Sequence, residues 1–203
     1  MENKHEYLMH KYLCDLPSNF QKQIKEYKRW QNQQQTLLGR LLLYKMLVSL
    51  EYNQISLFYN KNYKPILKDI NLHFSISHSG SYVVCALSSN NIGVDIEKIQ
   101  NRQIEHLIYF MSKNDWNSIN NYRNKLLQFY DIWVKKEAIV KLLGENLLIF
   151  NKIDIFKDVA TYEKELFFLK KFLIHDNYIC YLASDSPFAL NTKIEKHVSC
   201  INF

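Results

Sequence analysis

At 203 residues the chain is long enough for one large domain or two small ones. Its 47% hydrophobic and 14% aromatic content, with 4 Gly and 3 Pro, excludes a linker or a disordered tail. A net charge of +6 favours an acidic partner: nucleic acid, an anionic membrane, a phosphorylated small molecule or an acidic protein.

In chain order, the opening "MENKHEYLMHKYL" is too polar for a signal peptide. Nowhere does an apolar run approach the ~20 residues of a membrane span. Cys14, Cys85, Cys180 and Cys200 are far apart, without a CxxC or His/Cys cluster, and read as free thiols of a cytoplasmic protein. Residues 18–51 read as helical, with Leu37, Leu38, Leu41, Leu42 and Leu47 near i, i+4 spacing and "QNQQQ" as a solvated face. "ISLFY" is a short strand and "NKNYKP" a turn. "LHFSIS" and "YVVCALS" alternate on either side of Ser79-Gly80, which predicts an antiparallel hairpin. "IGVDIEKI" is the next strand. Ile104–Met111 reads as a helix, and another starts near Asn114 or Asp115 as N-cap. "KLLQFYDIWVKKEAIVKLLG" carries the strongest helical pattern and stops at Gly144. "IDIF", "LFFLKKFLI" and "YICYLAS" close the chain as strands. The order is helix, strands, helices, strands: an α+β protein, divided near residue 91.

Asp95 and Glu97 stand two apart in a strand and therefore share one face, opposite Val94 and Ile96. Two readings stay open. One is an amphipathic strand with a wet face. The other is a platform for a hard divalent cation, which takes carboxylate oxygens, waters and substrate phosphate. Glu137 is a third acid, one helical turn before Lys141. That spacing fits a surface ion pair worth ~0.3 kcal/mol. It equally fits an acid that holds a metal beside a lysine that faces anionic oxygens. In "FSISHSG", Ser77, His78, Ser79 and Gly80 gather donors at a turn, where Gly80 can turn backbone amides toward an anion. A plain turn rich in turn formers is the alternative.

In this order, "FSISHSG" at 74–80, "GVDIEK" at 93–98 and "WVKKEAIVKLLG" at 133–144 resemble the 4′-phosphopantetheinyl transferases, closest to the two-half type that activates nonribosomal peptide and polyketide synthases. "TLLGRLLL", "YKP" and "FMSKND" extend the likeness, which covers residues 20–144. The resemblance implies two similar α+β halves, 1–91 and 92–203, related by a pseudo-twofold, with coenzyme A between them. It implies Mg²⁺, with Mn²⁺ the other candidate, held by Asp95, Glu97 and Glu137. Lys141 would contact the diphosphate or aid the leaving group. Ser77 and His78 would bind the nucleotide end, Lys64 and Pro65 would border the adenine, and Lys22 and Lys25 would meet the 3′-phosphate. The partner would be an apo acyl, peptidyl or aryl carrier protein, whose serine receives the phosphopantetheine arm. Glu137, directly or through water, would take the serine proton. With both halves in one chain the cleft is complete in a monomer, and neither membrane nor nucleic acid is an expected partner.

The sequence departs from the family's pattern in places. Tyr63 stands where Gly often precedes Lys-Pro, Gln35 where a basic residue often stands, and Asn146 where a second Gly often follows Gly144. Arg40 or Arg29 is available to replace the missing basic residue. Two rivals exist. A metal-dependent nuclease would use Asp95, Glu97-Lys98 and Glu137. A basic RNA-binding module would use the Tyr and Phe residues, although these lie mostly in apolar, core-like patterns.

Overall fold

The computed structural model of the chain describes residues 2–101 and 103–188; Cys200 lies outside them. Helices α1 (Glu2–Tyr12), α2 (Ser18–Glu26) and α3 (Trp30–Ser49) come first. The single helix expected over 18–51 is thus two, because Tyr27 and Arg29 are extended and break the ladder between them. Helix α1 has no counterpart in the sequence reading. It is mostly polar and is held by Leu8, buried in the first core. Strand β1 (Leu57–Tyr59) pairs with β2 (Pro65–Leu67), and β3 (His73–Ser79) with β4 (Tyr82–Ser88), each pair antiparallel. The expected hairpin is this second pair, with Gly80 at φ +52 in its turn.

The second half opens with β5 (Ile92–Lys98). The helix expected over 104–111 is a 3-10 turn, Glu105–Phe110. Helix α4 (Lys113–Asn121) is capped by Ser112 rather than by Asn114 or Asp115. The Ser112 hydroxyl accepts from the Asp115 amide, and the Asp115 carboxylate accepts from the Ser112 amide, a reciprocal box. Helix α5 (Lys125–Leu143) ends at Gly144, left-handed at φ +71, as its pattern predicts. The expected terminal strands are β6 (Asp154–Phe156), β8 (Glu165–Phe172) and β9 (Tyr178–Ser184). Between them lies a short fourth strand, β7 (Val159–Tyr162), that has no apolar run of its own.

Among the described residues, the C-terminal strands form one antiparallel sheet in the order β5-β9-β8-β7-β6. Both halves are α+β, each built on one long helix. In the first, Leu37, Leu41 and Leu47 of α3 pack with Phe20, Ile24 and Phe74. In the second, Phe129, Trp133 and Ile139 of α5 pack with Phe150, Phe167 and Ile179. A third cluster forms the seam, where Ala86 of β4 meets Val94 and Ile96 of β5 and Cys180 and Leu182 of β9.

One expectation about a surface needs correcting: Gln34, in the run read as solvated, is 2% exposed, because α3 is covered on more than one side. Most of the described tyrosines and phenylalanines lie in or against the core clusters, while Tyr63, Tyr109 and Phe156 are 86%, 85% and 71% exposed. Among the described residues no helix is long and apolar enough to cross a membrane.

Candidate active site

Strand β5 alternates as its sequence predicts, but neither face is wet. Gly93, Asp95 and Glu97 stand opposite Ala183, Tyr181 and Ile179 of β9, on the side covered by α5. Val94 and Ile96 face the seam. Asp95 is only 1% exposed, so the amphipathic-strand reading fails for it. An ionised carboxylate buried this deeply is costly unless it is paired.

Gly93 sets the distance between strand and helix. A Cβ there would lie 1.9 Å from the Ala138 carbonyl oxygen and 2.6 Å from the Leu142 amide nitrogen. The α5 backbone therefore rests directly on β5. This brings Glu137 and Lys141, one turn apart, over Asp95. Asp95, Glu97 and Glu137 each offer an oxygen, all within 4.8 Å of one another. Lys141 is not the solvent-exposed partner of a surface pair. Its Nζ donates to Asp95 Oδ1 at 2.6 Å and to Ser77 Oγ at 2.7 Å. The cation against the acids is thus Lys141, whereas Lys98 packs beside Gly80.

The serines of "FSISHSG" explain how the acids are aimed. Strand β3 runs the same way as β5, and its period-two serines meet the β5 backbone. Ser75, Ser77 and Ser79 hydroxyls accept from the amides of Val94, Ile96 and Lys98 at 3.0, 3.4 and 3.0 Å. Ser77 donates to Asp95 Oδ1 at 2.7 Å, and Ser79 to Glu97 Oε2 at 2.8 Å. The hydroxyls cover the open edge of β5 and fix two carboxylates at once. Ser77 is buried behind the acids, outside the lining of the cleft.

Asp95 Oδ2 is buried without a hydrogen-bond partner among the described residues. Burial and the neighbouring Asp95 push the Glu137 carboxyl up to about 8, and Glu97 adds to this while Lys141 opposes it. Three converging carboxylates, one with an orphaned oxygen, fit a hard divalent cation by donor chemistry.

Lys141, paired with Asp95, lines a cleft of about 360 Å³ between the halves, together with His78, Lys64, Pro65, Gln35 and Arg40. Desolvation and the charge of Lys141 push the His78 pKa down. Lys64 Nζ donates to the Leu142 carbonyl at 2.6 Å, so it ties the first half to the C-terminal end of α5. Lys22 and Lys25 are exposed on α2 and line neither this cleft nor the smaller cavity beside it.

Sequence reasoning missed Gly93 and Ser75 as site builders, and also the buried pair behind Glu137. Lys136 is fully buried, ion-paired with Asp115 and donating to the Phe150 carbonyl at 2.8 Å. It locks α5 to the capped start of α4. The period-two serines were a visible signal; nothing local marked Gly93 or Lys136.

Fold and site together define a two-half α+β protein with an acid–lysine centre at an inter-half cleft. The family described as 4′-phosphopantetheinyl transferase, N-terminal, matches residues 4–90, and the 4′-phosphopantetheinyl transferase superfamily matches residues 91–190. The 4′-phosphopantetheinyl transferase gsp of Aneurinibacillus migulanus is 33% identical over 118 residues, 56% of this chain and 50% of its own. The 4′-phosphopantetheinyl transferase Sfp of Bacillus subtilis (strain 168) is 34% identical over 119 residues, 55% of this chain and 53% of its own. A solved holo-[acyl-carrier-protein] synthase of Thermotoga maritima overlays with a TM-score of 0.36 at 12% identity, over 46% of this chain and 61% of its own. The chain belongs to the 4′-phosphopantetheinyl transferase superfamily, in the type represented by Sfp. Its matches span about half the length of these curated relatives.

Proposed function

We propose that the protein transfers the 4′-phosphopantetheine arm of coenzyme A to a serine of an apo acyl, peptidyl or aryl carrier protein and releases 3′,5′-ADP. The observation that carries this reading is the meeting of Asp95, Glu97 and Glu137 with Lys141, which itself lines the inter-half cleft. Family membership and the names of the relatives support the reaction. The meeting of the two family matches at 90 and 91 supports a division into halves at 1–91 and 92–203.

In this reading Asp95, Glu97 and Glu137 hold Mg²⁺, which supplies positive charge to the diphosphate of coenzyme A. Lys141 Nζ, already fixed by Ser77 and Asp95, donates to oxygens of the same diphosphate. His78, Lys64 and Pro65 line the nucleotide side. The carrier serine oxygen attacks the β-phosphorus. The bond from that phosphorus to the bridging oxygen breaks, and the oxygen leaves with 3′,5′-ADP. The serine proton goes to a Glu137 carboxylate oxygen, directly or through water. Ser77 and Ser79 act through Asp95 and Glu97 as positioning residues.

The test is incubation with coenzyme A, Mg²⁺ and a panel of apo carrier proteins, read by intact mass. The expected result is a mass gain of one phosphopantetheine group on at least one carrier, abolished by Asp95→Ala. No gain on any acyl, peptidyl or aryl carrier sinks the proposal. Which carriers respond identifies the pathway served, nonribosomal peptide, polyketide or fatty acid.

A further inference from the structure

The backbone amide that follows Gly80 is taken by a side chain from the other half of the protein. Ser81 N–H donates to the Tyr178 hydroxyl at 3.2 Å, across 97 positions of chain. Ser81 lies in the turn of the β3–β4 hairpin, and Tyr178 opens β9. The two approach closely. A Cβ on Gly80, which has φ +52, would lie 2.4 Å from the Tyr178 hydroxyl oxygen and 3.1 Å from Lys98 Cδ. Glycine therefore serves this turn twice, by its left-handed backbone and by letting the turn close onto β9.

The ring of Tyr178 is held independently of its hydroxyl. It is 8% exposed. Tyr82 meets it edge-on with centroids 4.7 Å apart, and His175 does so at 6.0 Å. Packing thus fixes the ring, and the hydroxyl is the part that reaches the turn.

The residue before Gly80 is Ser79, which holds one of the acids. Its Oγ accepts from the Lys98 amide at 3.0 Å and donates to Glu97 Oε2 at 2.8 Å. Lys98 in turn stands opposite Tyr178 in the sheet. Contacts therefore run without a gap from the Tyr178 hydroxyl through the turn and Ser79 to Glu97. Ser75 and Ser77 are placed differently. They lie within β3, with residues paired to β4 on both sides of them. Ser79 is the last paired residue of β3, opposite Tyr82, and the turn comes next. The end of a hairpin opens more readily than its middle, so the aim of Glu97 depends on what pins the turn.

We propose that Tyr178 is a positioning residue for the metal centre: its hydroxyl pins the β3–β4 turn of the first half to β9 of the second, and so keeps Ser79 on Glu97. Gly80 permits the contact. The proposal rests on the metal reading above, in which Glu97 holds Mg²⁺ with Asp95 and Glu137.

The experiment compares the wild type, Tyr178→Phe, Ser79→Ala and the double variant. Phenylalanine keeps the ring against Tyr82 and His175 and removes the hydroxyl alone. In metal-free protein, amide hydrogen exchange in Tyr178→Phe should quicken by about 3- to 10-fold at both Ser81 and Lys98, the worth of one neutral hydrogen bond. It should stay unchanged at Val94, whose amide Ser75 holds at the other end of the serine ladder. Equal quickening at all three marks general destabilisation and overturns the proposal. Quickening at Ser81 alone, or at neither Ser81 nor Lys98, overturns it too, because nothing then passes to Ser79. Calorimetric Mg²⁺ titration is the second readout. Tyr178→Phe should weaken Mg²⁺ binding by about 3- to 10-fold in the wild-type background and by less than about twofold in Ser79→Ala, since the effect runs through that hydroxyl. Equal losses in the two backgrounds contradict the route through Ser79. A wild type that binds Mg²⁺ no more tightly than Tyr178→Phe overturns the positioning role and leaves the metal reading standing; a wild type that does not bind Mg²⁺ overturns both.

Discussion

Gly93→Ala is the most severe small change the site offers. The added methyl would sit 1.9 Å from the Ala138 carbonyl oxygen and 2.6 Å from the Leu142 nitrogen. A carbon–oxygen contact needs about 3.3 Å, so helix and strand must separate by roughly 1.4 Å. Both obstructing atoms are backbone of α5, so no side chain can rotate away. Glu137 and Lys141 ride on the displaced segment. The Lys141–Asp95 contact, now 2.6 Å, would open to about 3.5–4 Å, past hydrogen-bond range. Misplacement of about 1 Å at a reacting centre costs on the order of 100-fold in rate. Overpacking of this kind costs about 1–3 kcal/mol, which lowers the melting midpoint by roughly 2–12 °C for a chain of this size. The assay pairs carrier-modification rates, by intact mass, with thermal unfolding and Mg²⁺ titration. Gly93→Ala protein that melts within 2 °C of wild type, by the same scaling of roughly 2–4 °C per kcal/mol, and transfers within about threefold, well short of that 100-fold, would refute the idea that this backbone contact sets the geometry.

Three further outcomes follow from the same contacts. Ser79→Ala should weaken Mg²⁺ binding and cost about 1–2 kcal/mol, because Glu97 Oε2 and the Lys98 amide both lose a partner, while Ser79→Thr should restore much of the metal affinity; metal titration and urea unfolding check this. Lys136→Ala should cost about 3–5 kcal/mol in urea unfolding, since it strands the buried Asp115 carboxylate and the Phe150 carbonyl; a loss below about 1 kcal/mol, the size of an exposed pair, contradicts the buried-pair account. For pH, the Glu137 carboxyl rises from 4.5 to about 8, so the metal-free folded state holds a proton that the unfolded chain has lost. Its contribution to stability is complete below about 4.5 and is lost as pH climbs through about 8. With chelator present, wild-type stability against urea should fall over that interval more than that of Glu137→Gln, and Mg²⁺ affinity should rise over the same interval, because the ligand must shed its proton. Equal slopes for the two proteins contradict the assignment.

Much of this protein was written locally. The period-two pattern of "FSISHSG" and "GVDIEK" determined that Ser75, Ser77 and Ser79 share a face, as do Asp95 and Glu97. The apolar period of α5 and Gly144 determined that helix and its end, and Glu137 and Lys141 had to lie one turn apart on it. These features depend on residues within a turn or a strand of one another, which is why the sequence could state them. Elements with little apolar pattern, α1 and β7, escaped for the converse reason: their partners, not their own residues, hold them in place.

Tertiary structure decided whether those faces mean chemistry. Only packing shows that Asp95 is dry rather than solvated, that Gly93 is the point where α5 touches β5, and that Lys141 reaches an acid 46 positions away. Only packing leaves Arg40 between two rings, without an ion pair among the described residues, and turns Lys22 and Lys25 out to solvent. Burial and long-range contact belong to pairs of segments far apart in the chain. No window of neighbouring residues contains that information, and the cost or worth of a charge depends on it.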